Sequence, residues 1–239
     1  MRALILTSNS PRHEYLCRSI SNHFKLVGVI SEKKGDYYGK QRDSSELIQT
    51  HFDNLLRYET NTFSSYSDSL FERIEVERSN INNHELVLWA ENKDPDIVIL
   101  FGTGILNDLW LSKFKDKIIN IHLGYSPYYK GSATLFWPFV YNELDKIGVT
   151  IHLAVKEVDA GAILDTVTRE IEDGENYYDI TTKLIKKALD LVPHIALKYL
   201  NAEIEGKSQT GMTGRTFRKK DFNESVLRKA LFNANVGLR

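Results

Sequence analysis

Short apolar runs alternate along the chain with stretches of helical period. Residues 3–6, 26–30 (LVGVI), 96–100 (DIVIL) and 117–121 are nearly continuous apolar runs of strand length. Runs without polar alternation belong to strands covered on both faces, as in a parallel sheet. After the first run, Pro11 fits the opening turn of a helix with Ser10 as its N-cap, which predicts a helix over 13–20. The segment HELVLWAENKDP (84–95) predicts a helix ended by Pro95. A turn at Phe101-Gly102-Thr103-Gly104 follows the third run, then a helix over 105–114. Strand, helix, strand at this spacing implies parallel pairing with right-handed crossovers. Residues 147–155 and 162–170 form a further strand pair. Tyr177, Ile180, Leu184, Ile185, Ala188, Leu191 and Val192 recur at helical spacing and predict an amphipathic helix over 176–200, kinked at Pro193. The pattern as a whole predicts an α/β, Rossmann-like, doubly wound and mostly parallel sheet.

Two stretches break the pattern. Residues 32–80 are rich in Ser, Asp, Glu, Lys and Tyr with scattered apolar pairs, and read as an inserted set of helices and exposed loops. Residues 207–239 carry Gly, Thr, Arg and Lys, then a short helical stretch over 225–232. The expected organisation is one domain over 1–206, containing the 32–80 insertion, and a C-terminal extension over 207–239.

Composition narrows the partners. The 239 residues are 42% hydrophobic and 26% charged, which places the chain among globular proteins able to bury a sizeable core. A net charge of −1 leaves no basic footprint for nucleic acid or an anionic membrane. Cys17 stands alone, cannot form an internal disulfide, and reads as a small buried residue. The N-terminus lacks the apolar core of a signal peptide, and no apolar run approaches the ~20 residues of a membrane span. A cytoplasmic location is expected. His13, His23, His51, His84 and His194 have no ligand-like spacing with Cys or Glu, so no metal is expected.

Candidate chemistry gathers at the ends of two strands. Asn120 and His122 flank Ile121, and alternate residues of a strand share a face, so an amide and an imidazole point the same way. Gly124, Pro127 and Gly131 punctuate the following loop. The strand at 147–155 leads into Val158-Asp159-Ala160-Gly161, which adds a carboxylate. Ligands of open parallel sheets bind outside the carboxyl ends of strands, where Asn120 and His122 fall. His152 lies inside a strand and reads as a core or sheet-face residue. Trp89, Trp110 and Trp137 read as packing, although Trp137 and Phe136 could flank a ligand; Arg215, Phe217 and Arg218 could close over one.

The stretch NIHLGYSPYYKG…GVTIHLAVKEVDAGAIL resembles the folate-dependent formyltransferase superfamily, which includes the glycinamide ribonucleotide and methionyl-tRNA formyltransferases. Asn-x-His, a Ser-Pro-x-Tyr-Lys-Gly loop and an Asp-x-Gly turn follow one another as in that family. The likeness is good over 96–200, loose over 1–31 and poor over 32–80. It implies the formyltransferase fold and, as cosubstrate, 10-formyltetrahydrofolate, whose formyl carbon is attacked by an amine to give a tetrahedral intermediate. By carry-over, Asn120 would hold the oxyanion, His122 would handle the proton, and Asp159 would orient His122 or a water. The pterin would lie against the backbone of Phe101, Gly102, Thr103, Gly104 and Ile105, and of 157–161 including Val158 and Gly161.

The resemblance leaves the acceptor amine open. Ribonucleotide enzymes carry a glycine-rich turn after the first strand, whereas Thr7-Ser8-Asn9-Ser10-Pro11-Arg12-His13 has no glycine. Methionyl-tRNA enzymes add a C-terminal barrel, for which 207–239 is too short. The compact form resembles the sugar N-formyltransferases of surface polysaccharide (O-antigen, lipopolysaccharide) synthesis. The expected acceptor is therefore a deoxyamino sugar on a nucleoside diphosphate, commonly dTDP. Ser8, Asn9, Arg12, Tyr129, Lys130, Gly131 and tyrosines of the insertion are the expected contacts, and a homodimer is compatible with the insertion's loops. The competing readings are another small amine such as glycinamide ribonucleotide, or a non-catalytic nucleotide-binding α/β domain.

Overall fold

A computed structural model of the chain describes residues 1–33, 45–63 and 71–236. Each long apolar run becomes a strand with neighbours on both sides. β1 (Arg2–Ser8) lies parallel to β2 (Lys25–Glu32) and to β4 (Ile97–Leu100). β3 (Arg73–Val76) adds in parallel outside β2, and β5 (Ile118–His122) outside β4. β7 (Val149–Leu153) and β8 (Ile163–Val167) extend the far edge as an antiparallel pair. The order is β3-β2-β1-β4-β5-β7-β8, seven strands among the described residues, with five successive parallel strands. A two-stranded ribbon joins β6 (Tyr129–Gly131) in parallel to β9 (Arg215–Phe217).

Alternate residues of the central strands feed two cores. Ala3, Ile5, Ile97, Ile99, Ile119 and Ile121 belong to one, with α1 (Pro11–Ser21), α2 (Glu46–Phe63), α5 (Trp137–Tyr141) and α6 (Tyr177–Leu200). Leu4, Leu6, Ile30, Val98 and Ile118 belong to the other, with α3 (His84–Asn92) and α4 (Asp108–Lys113). Helices on both faces of a sheet whose central strands are covered on both sides are the doubly wound arrangement expected from the sequence. Cys17 is buried in α1, and burial pushes its thiol up to about 12.

Capping side chains move several boundaries. Asn107 accepts from the backbone of Trp110, so α4 starts at Asp108 rather than 105. Asn176 and Asp179 form a reciprocal capping box that starts α6, which runs on through Pro193. Residues 32–80 hold the expected helix and, in addition, a strand that the polar composition hides. Over 46–63 an 18-residue helix buries Ile48, His51, Phe52 and Phe63, and Arg73–Val76 supplies the edge strand. Of the tyrosines expected to reach an acceptor, Tyr58 stacks on Tyr178 at 5.3 Å, and Tyr37, Tyr38 and Tyr66 lie outside the described residues.

After β1, β2 and β3 the chain crosses back to β4 on the other side of β1. The carboxyl ends of β1 and β4 therefore open a crevice at the point where the winding reverses. β5 ends beside β4, so His122 stands on the same rim.

Candidate functional site

The antiparallel register of β5 and β7 builds the first half of the site. It sets Asn120 opposite His152 and His122 opposite Thr150. The Asn120 Nδ2 atom lies 3.0 Å from His152 Nε2, and His152 Nδ1 lies 2.8 Å from the Leu153 carbonyl. A carbonyl only accepts, so Nδ1 carries the proton and Nε2 is bare. The amide must then turn its NH2 group towards His152, which fixes which end of Asn120 is donor. A primary amide has a second N–H, and that one remains for another acceptor.

The second half is a carboxylate held on a turn. Asp159 adopts a left-handed backbone (φ 53), uncommon for a residue with a side chain. Its Oδ1 lies 3.2 Å from His122 Nδ1, and its Oδ2 accepts from the Gly131 N–H at 2.9 Å. The other ring nitrogen, His122 Nε2, donates to the Tyr129 carbonyl at 2.8 Å. A proton arriving at His122 Nδ1 therefore faces a carboxylate, and both ring nitrogens are met by acceptors. Burial alone would raise the Asp159 carboxyl, but the His122 ring, the nearby His152 ring and the Gly131 N–H outweigh it and hold the group well below the usual carboxylate range. His152 Nε2 stands 3.8 Å from Asp159 Oδ1, too far for a hydrogen bond.

Asn120, His122 and Asp159 thus converge, and His152 joins them. Reading His152 as a core residue captures its burial and misses its bond to Asn120. The sequence signal is a polar residue inside the apolar run VTIHLAV. Only the strand register shows what it meets.

The turn after β4 is exposed at Gly102, Gly104 and Ile105 and anchored from beneath. The Phe101 ring is buried against His13, and the Phe101 carbonyl accepts from Thr7 Oγ1. At Gly102 the backbone is left-handed (φ 76), and a Cβ would come within 2.6 Å of His13. The Gly104 N–H donates to Glu32 Oε2, and the Ser79 N–H to Glu32 Oε1, so the buried Glu32 carboxylate ties the turn to the end of β2. Gly104 therefore offers no free N–H to a ligand. Val158 is exposed and Gly161 is packed against the Leu153 carbonyl.

The expected acceptor contacts hold less well. Ser8 is buried and donates to the Glu32 carbonyl, because β1 and β2 pair in register to their ends. Tyr129 is buried too, its hydroxyl given to Glu143 at 2.6 Å, so only its carbonyl belongs to the site. Arg12 is ion-paired with Glu59 of α2 at 2.7 Å. The Gly131 N–H is taken by Asp159, whereas Asn9 is exposed and Lys130 half-buried at the rim. Trp137 is stacked on Phe217 at 4.2 Å, and Phe136 packs on Phe222, so both are buried packing rather than acceptor walls. Arg215 reaches Glu143 and the Tyr141 ring. A cavity of about 340 Å³ among α2, α6 and the C-terminal helix, lined by His51, Asn54, Arg57, Tyr58 and Tyr178, includes none of the converging residues. Among the described residues no cluster of three His, Cys, Asp or Glu could hold a metal, and no helix is long and apolar enough to cross a membrane.

The methionyl-tRNA formyltransferase of Thermotoga neapolitana is 30% identical over 135 residues, 56% of this chain and 43% of that protein. The chain spans less than half the length of the curated relatives it matches. Among solved structures, phosphoribosylglycinamide formyltransferase from Anaplasma phagocytophilum superposes with a TM-score of 0.63 at 18% identity, covering 91% of this chain and 99% of that one. The sugar 3N-formyl transferase WlaRD superposes with a TM-score of 0.61 at 19% identity, covering 99% of this chain and 80% of its own. At these identities the structures speak for the fold. The family model described as formyl transferase matches residues 1–195, and the chain belongs to the formyl transferase family.

Proposed function

We propose that the chain transfers a formyl group from 10-formyltetrahydrofolate to the primary amine of a nucleotide-linked deoxyamino sugar, in the synthesis of a surface polysaccharide. The observation that carries the transfer is the convergence of the Asn120 amide with the His122–Asp159 pair at the sheet's carboxyl rim. Ile105 and Val158, both exposed in the two turns expected to meet the pterin, are available to a flat, hydrogen-bonding ring. The reduced folate supplies an activated one-carbon unit. In the reaction a bond forms between the acceptor nitrogen and the formyl carbon, and the bond from that carbon to the folate nitrogen breaks. One proton leaves the amine and one reaches the folate nitrogen.

The chain's own groups divide this work. The free N–H of Asn120 meets the oxygen that gains charge, its direction set by His152. The His122 Nδ1–Asp159 pair takes up the amine's proton, the carboxylate stabilising the imidazolium and the Tyr129 carbonyl keeping the ring in place. The nucleotide-sugar acceptor is supported by the near-neutral charge and by the likeness, over nearly the full chain, to WlaRD, whose structure was determined with dTDP and 5-N-formyl-THF.

The test offers labelled 10-formyltetrahydrofolate with a panel of dTDP-amino sugars and with glycinamide ribonucleotide as control. Transfer to a sugar is expected. Label reaching only the ribonucleotide overturns the acceptor, and label reaching no amine overturns the transfer. The His122→Asn variant should lose about 10²- to 10⁴-fold in kcat, the usual worth of a positioned proton carrier.

A further inference from the structure

We propose that Gln209 is a positioning residue of the candidate transfer site, setting the Asp159 carboxylate against His122 from the C-terminal segment; this deepens the formyl-transfer reading and rests on it. Gln209 is 6% exposed. Its amide donates to the Gly161 carbonyl at 2.7 Å and to the Asp159 carbonyl at 3.1 Å. Both N–H groups are thus spent on the two carbonyls that bracket the turn. Flipping the amide would press its oxygen against both carbonyls, so the direction is dictated by the acceptors. The price is a buried Oε1 with no hydrogen-bond partner in the described residues. A lone unpaired acceptor is unfavourable, so the side chain is held there by its donors.

The turn needs holding. Asp159 sits in the left-handed region (φ 53), a conformation unfavourable for a residue with a Cβ. A Cβ on Gly161 would lie 1.7 Å from the Leu153 carbonyl, so the turn is jammed against the end of β7. Relaxation of Asp159 to an ordinary φ would swing its carboxylate off His122 Nδ1.

The same segment grips the other side of the carboxylate. Lys207 exchanges two backbone hydrogen bonds with Ile163 of β8, both 2.8 Å. Further on, the Arg215 N–H donates to the Tyr128 carbonyl and the Ser132 N–H to the Phe217 carbonyl. Those bonds fix the loop whose Gly131 N–H donates to Asp159 Oδ2. A Cβ at Gly214 would meet the Pro127 carbonyl at 1.7 Å, so this approach requires glycine. Residues 207–217 hold the backbone of Asp159 through Gln209 and its carboxylate through β9, β6 and Gly131.

The experiment compares the full chain with Gln209→Glu, Gln209→Met and Gln209→Asn. Gln209→Glu keeps the shape and sets acceptors against both carbonyls; Gln209→Met keeps the volume without donors; Gln209→Asn keeps both N–H groups one methylene short. Expected are a kcat about 10- to 100-fold lower for Glu and Met with KM for the folate within about threefold, and an intermediate value for Asn. The carbon-13 titration of the Asp159 carboxyl in the free protein should move up towards the ordinary carboxylate range in Glu and Met. That readout needs no turnover, so a chain that transfers no formyl group would sink the functional reading and still test this one. If Gln209→Glu fails to fold, Gln209→Met carries the comparison, and thermal melts report whether each variant is folded. Variants that lose melting temperature alone, with kcat and the Asp159 titration as in the parent, would show Gln209 to be packing and overturn the proposal.

Discussion

Asn120 has one side-chain donor committed to His152 and one to spare, and the two should be separable by mutation. Asn120→Ala removes the donor that faces the developing charge and should cost about 10²- to 10³-fold in single-turnover rate. His152→Phe leaves the amide in place but free to rotate, and should cost on the order of tenfold, the worth of one hydrogen bond. Equal losses, or a larger loss at His152, would mean that the imidazole rather than the amide meets the reacting group. The two positions also show where sequence reading stops. Asn120 and His122 are legible because an alternation of polar side chains at a strand end is unusual, and Asp159 because a VDAG turn is short and sharp. His152 is not, since a β-strand presents a histidine to its neighbour only once the register is known, and Asn120↔His152 is a fact of pairing. Ser8 and Tyr129 mislead for the opposite reason. Each is polar and adjacent to the site in sequence, yet its hydroxyl is spent on Glu32 or Glu143 inside the protein.

α2 is the element whose sequence pattern is weakest and whose packing is nevertheless extensive. Its buried residues Ile48, His51, Phe52 and Phe63 are spaced among polar ones, and one of them is itself polar, which hides the stripe from a periodicity count. β3 is hidden likewise, because Arg73-Ile74-Glu75-Val76 is the half-exposed alternation of an edge strand inside a polar stretch. The strong apolar runs, by contrast, became β1, β2, β4 and β5 with ends shifted by at most two residues. His51 gives α2 a measurable signature. Its ring lies among Phe52, Phe136, Tyr177 and Phe222, with Nδ1 3.0 Å from the Tyr178 hydroxyl. Burial pushes its imidazole down to about 4, from an ordinary value of 6.5. Between those two values the unfolded chain binds a proton that the folded chain refuses, so stability falls as pH drops through that window. The loss should be on the order of 2 kcal/mol from pH 6.5 to 5, and His51→Phe should remove it. Denaturant melts of both proteins at the two pH values check this; parallel pH slopes would place a water or a new partner at the ring.

A different set of groups governs the fold in stronger acid, and it lies on the antiparallel side of the sheet and the loops it carries. Glu175 has a nearly buried carboxylate, met by Arg169 through both oxygens (2.6 and 3.0 Å), by Lys183 at 2.6 Å and by the Glu172 N–H at 2.9 Å. Burial alone would raise it, but these donors outweigh burial and bring it down to about 2. Glu143 is brought down to about 2 chiefly by the Tyr129 hydroxyl, and Asp159 is lowered as well. Each folded value lies below the unfolded one, so the unfolded chain is the more protonated state between them. The stability these groups contribute is complete above about pH 4.5 and is lost as pH falls towards 2. The central strands of the parallel half, β1, β2 and β4, are packed mainly through apolar side chains. Acid should therefore loosen β8, the turn at Asp159 and the ribbon of β6 and β9 before the parallel strands, and formyl transfer should fail while much of the sheet persists. Hydrogen exchange measured at pH 3 against pH 6 reads the order directly: amides of β7 and β8 should lose protection ahead of those of β1 and β4. Glu175→Gln should lower the melting temperature at neutral pH, because Arg169 loses its ionic partner, and should flatten the decline between pH 4.5 and 2. Uniform loss of protection across all strands, or an unchanged acid slope in Glu175→Gln, would assign acid sensitivity to the net charge of the chain and not to these carboxylates.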